Sequence, residues 1–178
     1  FVCGVFPRYF TARVEAGKTP YGELQWALRN ATLGNDKGAV IFEQRDVEVP
    51  VDLSQTATNI VVSKYFYGKI GSPERETSVR QLVGRVCDTI AGWGAEQRYL
   101  NTPEDAENFR FDLTHPMLTQ KACFNSAVWF NVGVAEPRGY GFFFDDATNS
   151  LKKINPEERR PQCSACFINS VGDTLESI

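Results

Sequence analysis

Pro161-Gln-Cys-Ser-Ala-Cys-Phe-Ile-Asn-Ser-Val171 is the stretch on which the reading of this chain turns. It follows a charged loop and sets two cysteines into an apolar, β-prone run, which predicts a strand over residues 163–171. Residues i and i+3 of a strand point to opposite faces. Cys163 and Cys166 therefore cannot both face one site, nor easily bond to each other. One is expected to face an active site and the other to pack. A thioredoxin-like pair would need its first cysteine at a helix N-terminus, where the dipole lowers the thiol pKa, and the strand signals oppose that. A zinc site needs about four ligands. His115 is the single histidine, and Cys3, Cys87 and Cys123 stand isolated in the sequence, so no metal site is expected. On residue types alone, both cysteines read most simply as small buried apolar side chains.

Upstream, Phe124-Asn-Ser-Ala-Val-Trp-Phe-Asn-Val-Gly133 is apolar and extended in character. Between the two stretches the composition changes. Residues 134–162 carry Pro137, Gly139, Gly141, Asp145-Asp146, Lys152-Lys153 and Glu157-Glu-Arg-Arg160, which reads as a long loop or insertion. Phe142-Phe-Phe144 inside it is expected to be buried or bound.

Residues 1–133 read as mainly helical. Phe1 to Thr19 has no clean period. Pro20 at a first turn, with Leu24, Ala27 and Leu28 as a stripe, predicts a helix from Tyr21 to about Ala31. Gly34 to Gly38 is a turn, Ala39 to Phe42 a short strand, and Val47 and Val49 a second one closed by Pro50. In Ser54 to Phe66 the β-branched residues favour a strand, but Ile60, Ser63, Lys64 and Tyr65 suit a helix equally, and the stretch is read as a helix broken by Gly68 to Gly71. Ser72 as cap and Pro73 at the first position predict the best helix, with Val79, Leu82, Val83, Val86, Ile90 and Trp93 at helical spacing and Gly92 and Gly94 closing it. Asn101-Thr-Pro-Glu-Asp105 opens another through Phe109, Leu113 and Leu118, with acids suited to its N-terminal dipole; Pro116 is expected to kink or split it. Glu74, Arg75, Glu76 and Arg80 read as a solvated helix face, and Trp93 and Trp129 as core.

The 178 residues suffice for one domain, and 42% hydrophobic with 23% charged residues is ordinary globular composition. A net charge of -3 advertises no basic face, so nucleic-acid binding is not expected. No apolar run approaches a membrane span. Five irregularly spaced cysteines are no secreted disulfide framework, and a reducing cytoplasm is the simpler setting. Starting at Phe1 and stopping inside Asp173-Thr-Leu-Glu-Ser-Ile178, the chain reads as a piece of a longer protein.

Ala165-Cys-Phe-Ile168 with Asp173-Thr-Leu-Glu-Ser-Ile178, the run around Ser126, and the ordered set Ile41 to Pro50, Ser54 to Asn59, Ser63 to Phe66 and Pro73 to Leu82 together resemble the N-terminal part of the cobalamin-dependent (class II) ribonucleotide reductases. The resemblance spans about Phe6 to Ile178. It implies an α+β fold, a mainly helical N-terminal region (1–133) and, after 134–162, the first strand of a reductase-type α/β barrel in 163–178. It implies that Cys166 is one of two cysteines that reduce the substrate, and that Ser126 contacts the nucleotide's phosphate end, with Ala165 and Cys166 at the substrate. The family has Pro where this chain has Ala127, which leaves the backbone after Ser126 less rigid. Cys163 is an extra of unknown use.

The same resemblance implies adenosylcobalamin as cofactor, with its contacts mostly outside this chain, a ribonucleoside diphosphate as substrate, a thioredoxin-type reductant, nucleotide effectors and a homodimer in the full-length protein. A cobalamin-generated thiyl radical would abstract a ribose hydrogen, and the isolated piece is expected to be inactive. Two other readings stand beside it. One is a non-catalytic binding or structural module that kept the scaffold. The other is a class I large-subunit fragment, which Ser54-Gln-Thr-Ala-Thr-Asn-Ile60 and the lack of a long N-terminal regulatory domain disfavour.

Overall fold

A computed structural model of the chain describes residues 6–15, 18–135, 142–155 and 163–165. The first regular element is a hairpin, not the helix expected over 21–31. Pro20–Glu23 forms one 3-10 turn and Trp26–Gly34 is a strand, β1. It pairs antiparallel with β2, Val40–Pro50, from Trp26 opposite Pro50 to Gly34 opposite Val40. The helical spacing of Leu24, Ala27 and Leu28 is incidental, since Leu28 is 67% exposed. The ladder wins because the turn is strongly coded: Asn35 Oδ1 accepts from the Lys37 and Ala39 amides (3.0 and 2.9 Å), and Gly38 sits at φ 79°.

Two short strands were expected over 39–49, and one long strand with a bulge is found. The register slips between Arg29 and Ala31, and Asp46 in β2 takes φ 55°, its amide donating to Asn30 Oδ1 at 3.1 Å. An extra residue flips the inward phase. Phe42 and Gln44 face in before the bulge, Val47 and Val49 after it.

α1, Gln55–Lys64, forms as expected, with the Ser54 hydroxyl accepting from the Ala57 amide. α2, Val79–Glu96, starts six residues later than the Ser72 cap predicted. Ser78 and Gln81 make a reciprocal capping box, and residues 72–77 are instead tied into the hairpin: the Glu48 amide donates to the Thr77 carbonyl at 2.9 Å. The helix also runs through Gly92 and Gly94 to Glu96. α3, Pro103–Leu118, has the predicted start, with Thr102 and Asp105 as a capping box. Pro116 does not split it, because only two residues of helix follow.

The stretch read as extended, 124–133, contains a short helix, α4, Ser126–Asn131, capped by Asn125. Asparagine before small residues is a helix-start signal that the apolar run obscured. Within 134–162 the described residues form a second hairpin, β3 (Phe142–Asp145) with β4 (Ser150–Lys153). Phe142 and Phe144 are 63% and 56% exposed there, against the expectation of burial. Of the strand expected over 163–171, Cys163–Ala165 are described and lie in no helix or strand; Cys166 lies outside the described residues.

The fold is therefore α+β, four helices with two small antiparallel sheets, and no barrel is seen among the described residues. The core joins Ala31, Val47 and Val49 of the hairpin to Val62 of α1, Val83 and Val86 of α2, and Trp129 and Val132 at α4. The N-terminal segment is strapped to α3: the Asp105 carboxylate accepts from the Phe6 amide, and Asp112 accepts from the Tyr9 and Thr11 amides and the Thr11 hydroxyl. No helix among the described residues is long and apolar enough to cross a membrane.

The charged run expected on a solvated face is exposed only at Glu74: Arg75 and Arg80 are half-buried and Glu76 is 6% exposed. Arg75 donates to the Val62 and Phe66 carbonyls (2.6 Å each), closing the C-terminal end of α1, and Arg80 lies over the Trp26 ring at 3.8 Å.

Candidate functional site

Asn125 joins the two stretches that the sequence singled out. Its Oδ1 accepts from the Val128 amide at 3.1 Å, which caps α4, while its Nδ2 donates to the Cys163 carbonyl at 3.0 Å. One side chain thus fixes the helix bearing Ser126 and anchors the run 163–165 beside it. Ser126, first residue of α4, is exposed, and its hydroxyl lies 3.1 Å from the Tyr65 hydroxyl. Tyr65 ends α1 and stacks on Phe130 of α4, ring centroids 5.1 Å apart. Two hydroxyls side by side at an accessible edge can donate to an oxyanion.

Tyr65 also lines an apolar cleft of about 350 Å³, together with Leu53, Val61, Cys123 and Trp129 among others. Trp129 forms its wall, with Nε1 donating to the Phe124 carbonyl at 3.0 Å. The far end of α4 is held by Arg85 of α2. Its Nη1 donates to the Val132 carbonyl at 2.6 Å and the Trp129 carbonyl at 3.1 Å, and its Nε to Glu76 Oε1 at 2.8 Å. Glu76 Oε2 in turn accepts from the Tyr67 amide at 2.7 Å.

The described cysteines differ in chemistry. Burial pushes the Cys87 thiol up to about 12, which makes it inert packing. Cys163 is half-buried against the core, and desolvation raises its thiol as well, so it is held neutral. Cys123 is exposed, and its sulfur accepts a hydrogen bond from Trp129 Nε1 at 3.4 Å. Among the described residues no group of three or more His, Cys, Asp or Glu is placed to hold a metal ion, and His115 Nδ1 lies 3.2 Å from the Glu23 carboxylate.

Of the residues expected to act, Ser126 follows Asn125, whose Nδ2 bonds the Cys163 carbonyl two residues before Ala165, and Cys166 lies outside the described residues. Tyr65, Glu76 and Asn125 fall inside the family-like runs with no role read for them, and Arg85 outside them; the partners that give Asn125 and Tyr65 their roles lie 38 and 61 residues away.

Fold and site together define an α+β scaffold that presents a serine-bearing helix to a cysteine-bearing stretch. Residues 27–120 match the family model of the class II vitamin B12-dependent ribonucleotide reductases, and the chain belongs to that family. It is 46% identical over 168 residues to the vitamin B12-dependent ribonucleotide reductase of Rhodopirellula baltica, covering 91% of this chain and 16% of that protein. The protein of the same name from Streptomyces avermitilis is 42% identical over 163 residues (91% and 14%), and that of Agrobacterium fabrum 31% over 199 residues (89% and 16%). The chain thus spans about one-sixth of the length of these curated relatives. The family is B12-dependent, which implies adenosylcobalamin as its cofactor.

Proposed function

We propose that this chain is the N-terminal part of an adenosylcobalamin-dependent ribonucleoside-diphosphate reductase, making deoxyribonucleotides for DNA synthesis in the cytoplasm. The observation that carries the proposal is the Asn125 bridge, which holds Ser126 next to the run leading into Cys166. In this reading the Ser126 hydroxyl, with Tyr65 beside it, donates to the substrate's terminal phosphate oxygens, and the Ala165 backbone lines the substrate. Cys166 is one of two thiols that give up two electrons and two protons: the 2′-hydroxyl leaves as water, hydrogen takes its place on the ribose, and the two sulfurs become a disulfide. A thioredoxin-type dithiol returns the disulfide to thiols by exchange. Nucleotide effectors and a homodimer belong to the whole protein in the same reading.

Adenosylcobalamin, when bound, supplies the radical that begins ribose chemistry. The described residues do not form its seat. The cleft of about 350 Å³ falls near the lower end of drug-sized pockets, well short of a corrin macrocycle, and His115 is engaged with Glu23. Its contacts are expected elsewhere in the whole protein.

The test is Cys166→Ser in the full-length reductase. Turnover is expected to vanish while the ribonucleoside diphosphate still binds. Repeated turnovers by that variant with a dithiol reductant would sink the assignment of Cys166.

A further inference from the structure

The six residues of α4 cannot hold a helix by themselves, because a single turn gains too few hydrogen bonds to offset nucleation. The helix is instead tied at both ends. Asn125 caps the end that carries Ser126. At the other end the Arg85 guanidinium binds the Trp129 and Val132 carbonyls and is braced by Glu76. These two charges are nearly out of water, with side chains 10% and 7% exposed. Arg85 Nη2 is buried with no hydrogen-bond partner among the described residues. A buried ion pair is an expensive way to fasten two helices, and apolar side chains commonly do it as well or better. What the pair adds is direction: a rigid fork fixes the distance and angle of the carbonyls it grips.

The chain around the fork is shaped to fit. Gly133 takes φ 71°, and a Cβ there would lie 2.5 Å from the Arg85 carbonyl oxygen, so only glycine lets the chain pass this close to α2 with the Val132 carbonyl over the guanidinium. Trp129 is three residues from Ser126, less than one turn. A shift of the gripped carbonyl therefore moves the serine hydroxyl as part of the same rigid turn.

We propose that Arg85, braced by Glu76, is a positioning residue that sets the Ser126 hydroxyl for the phosphate end of the nucleotide. The proposal rests on the phosphate role of Ser126 given above. It adds a pair that touches no substrate yet governs affinity for the phosphate.

The experiment uses the full-length reductase with Arg85→Lys and the milder Glu76→Gln, alongside Ser126→Ala. Steady-state turnover of the ribonucleoside diphosphate gives KM and kcat separately, and equilibrium binding of the unphosphorylated ribonucleoside serves as reference. Arg85→Lys should raise KM for the diphosphate about tenfold, as expected for a misplaced hydrogen bond to a charged group, with kcat nearly unchanged and ribonucleoside binding unaffected. Glu76→Gln should do the same to a smaller extent. Adding Ser126→Ala to Arg85→Lys should cost less than Ser126→Ala costs alone, because both act on one contact. If Ser126→Ala raises KM while Arg85→Lys and Glu76→Gln leave it unchanged, even with a lowered melting temperature, the pair is mere scaffold and the proposal fails. If Ser126→Ala itself leaves KM unchanged, the phosphate reading falls, and the positioning role with it.

Discussion

Replacing Asn125 separates two jobs done by one side chain. Asn125→Ala removes both the cap on α4 and the tether to Cys163; Asn125→Asp keeps an acceptor for the Val128 amide but sets a carboxylate oxygen where Nδ2 donated to the Cys163 carbonyl. Loss of an N-cap costs about 1 kcal/mol, and loss of the tether about 0.5–1.5 kcal/mol. Asn125→Ala should then weaken the local structure by roughly 2 kcal/mol, close to a thirtyfold drop in amide protection at Val128. Asn125→Asp should leave Val128 protected, since a carboxylate caps well and suits the helix dipole. Its effect should fall on the tethered run alone. Cys163 is half-buried and exposed Cys123 is a reference within the same chain. Alkylation followed by mass spectrometry reads their ratio: Asn125→Asp should raise the Cys163 to Cys123 ratio several-fold. If Asn125→Asp leaves that ratio at the wild-type value while lowering protection at Val128, the division of labour deduced from the two hydrogen bonds is wrong.

Gly133→Ala should destabilise by about 1–2 kcal/mol for its left-handed backbone, with about 1–3 kcal/mol more for the close approach to α2. Gly92→Ala, exposed in mid-helix with open space around it, should stabilise by about 0.5–1 kcal/mol; equal shifts of the two in thermal unfolding would contradict the geometry. For Asp112, burial pushes the carboxyl up, but hydrogen bonds from the Thr11 hydroxyl and the Tyr9, Thr11 and Phe10 amides outweigh it and hold the group below the ordinary carboxylate range. A lowered pKa stabilises above the unfolded value of about 3.9 and ceases to do so as the pH falls through the folded value. Amide exchange at buried Thr11 should therefore be slower in the wild type than in Asp112→Asn at neutral pH, and the difference should shrink as the pH is lowered past the ordinary carboxylate value of about 3.9; a gap that stays constant into strong acid would refute the strap.

Two of the expected helices begin where the sequence placed them. Ser54 and Thr102 each place a hydroxyl where a bare amide needs an acceptor, and α1 and α3 begin there. Ser72 with Pro73 offered the same signal but lost to Ser78, because the Thr77 carbonyl and the Ser78 hydroxyl are both engaged by Glu48 of β2, a contact that only folding supplies. The hairpin was missed in its first strand for a related reason. A few apolar residues at three- and four-residue spacing cannot outweigh a ladder whose partners run from Gly34 opposite Val40 to Trp26 opposite Pro50, and the bulge at Asp46 broke the alternation that would have revealed it. The candidate site was legible in Ser126 and the cysteine run. Asn125, which unites them, reads locally as nothing more than a helix cap.

The run Glu74-Arg-Glu76 shows where such reading meets a physical limit. Charged residues in sequence favour solvent, because desolvating a charge is costly unless it is paired. Here the pairing comes from helix ends. α1 stops at Lys64 and α4 at Asn131, and each leaves carbonyls with no partner of their own. Arg75 satisfies the Val62 and Phe66 carbonyls of the first, and Arg85 the Trp129 and Val132 carbonyls of the second. Glu76 lies next to Arg75 in sequence and bonds Arg85 in space, while Gln44 of β2 accepts from Arg75 and donates to the Glu76 carbonyl. The hairpin, α1, α2 and α4 are thus joined by one polar network at the point where a sequence pattern shows only a soluble surface. A network of this kind holds its members in one arrangement more strictly than apolar contact would. In the proposed reading the end of α4 bearing Ser126 is where that strictness has a use, because a hydroxyl that is to donate to a phosphate oxygen must be placed to within a fraction of an ångström.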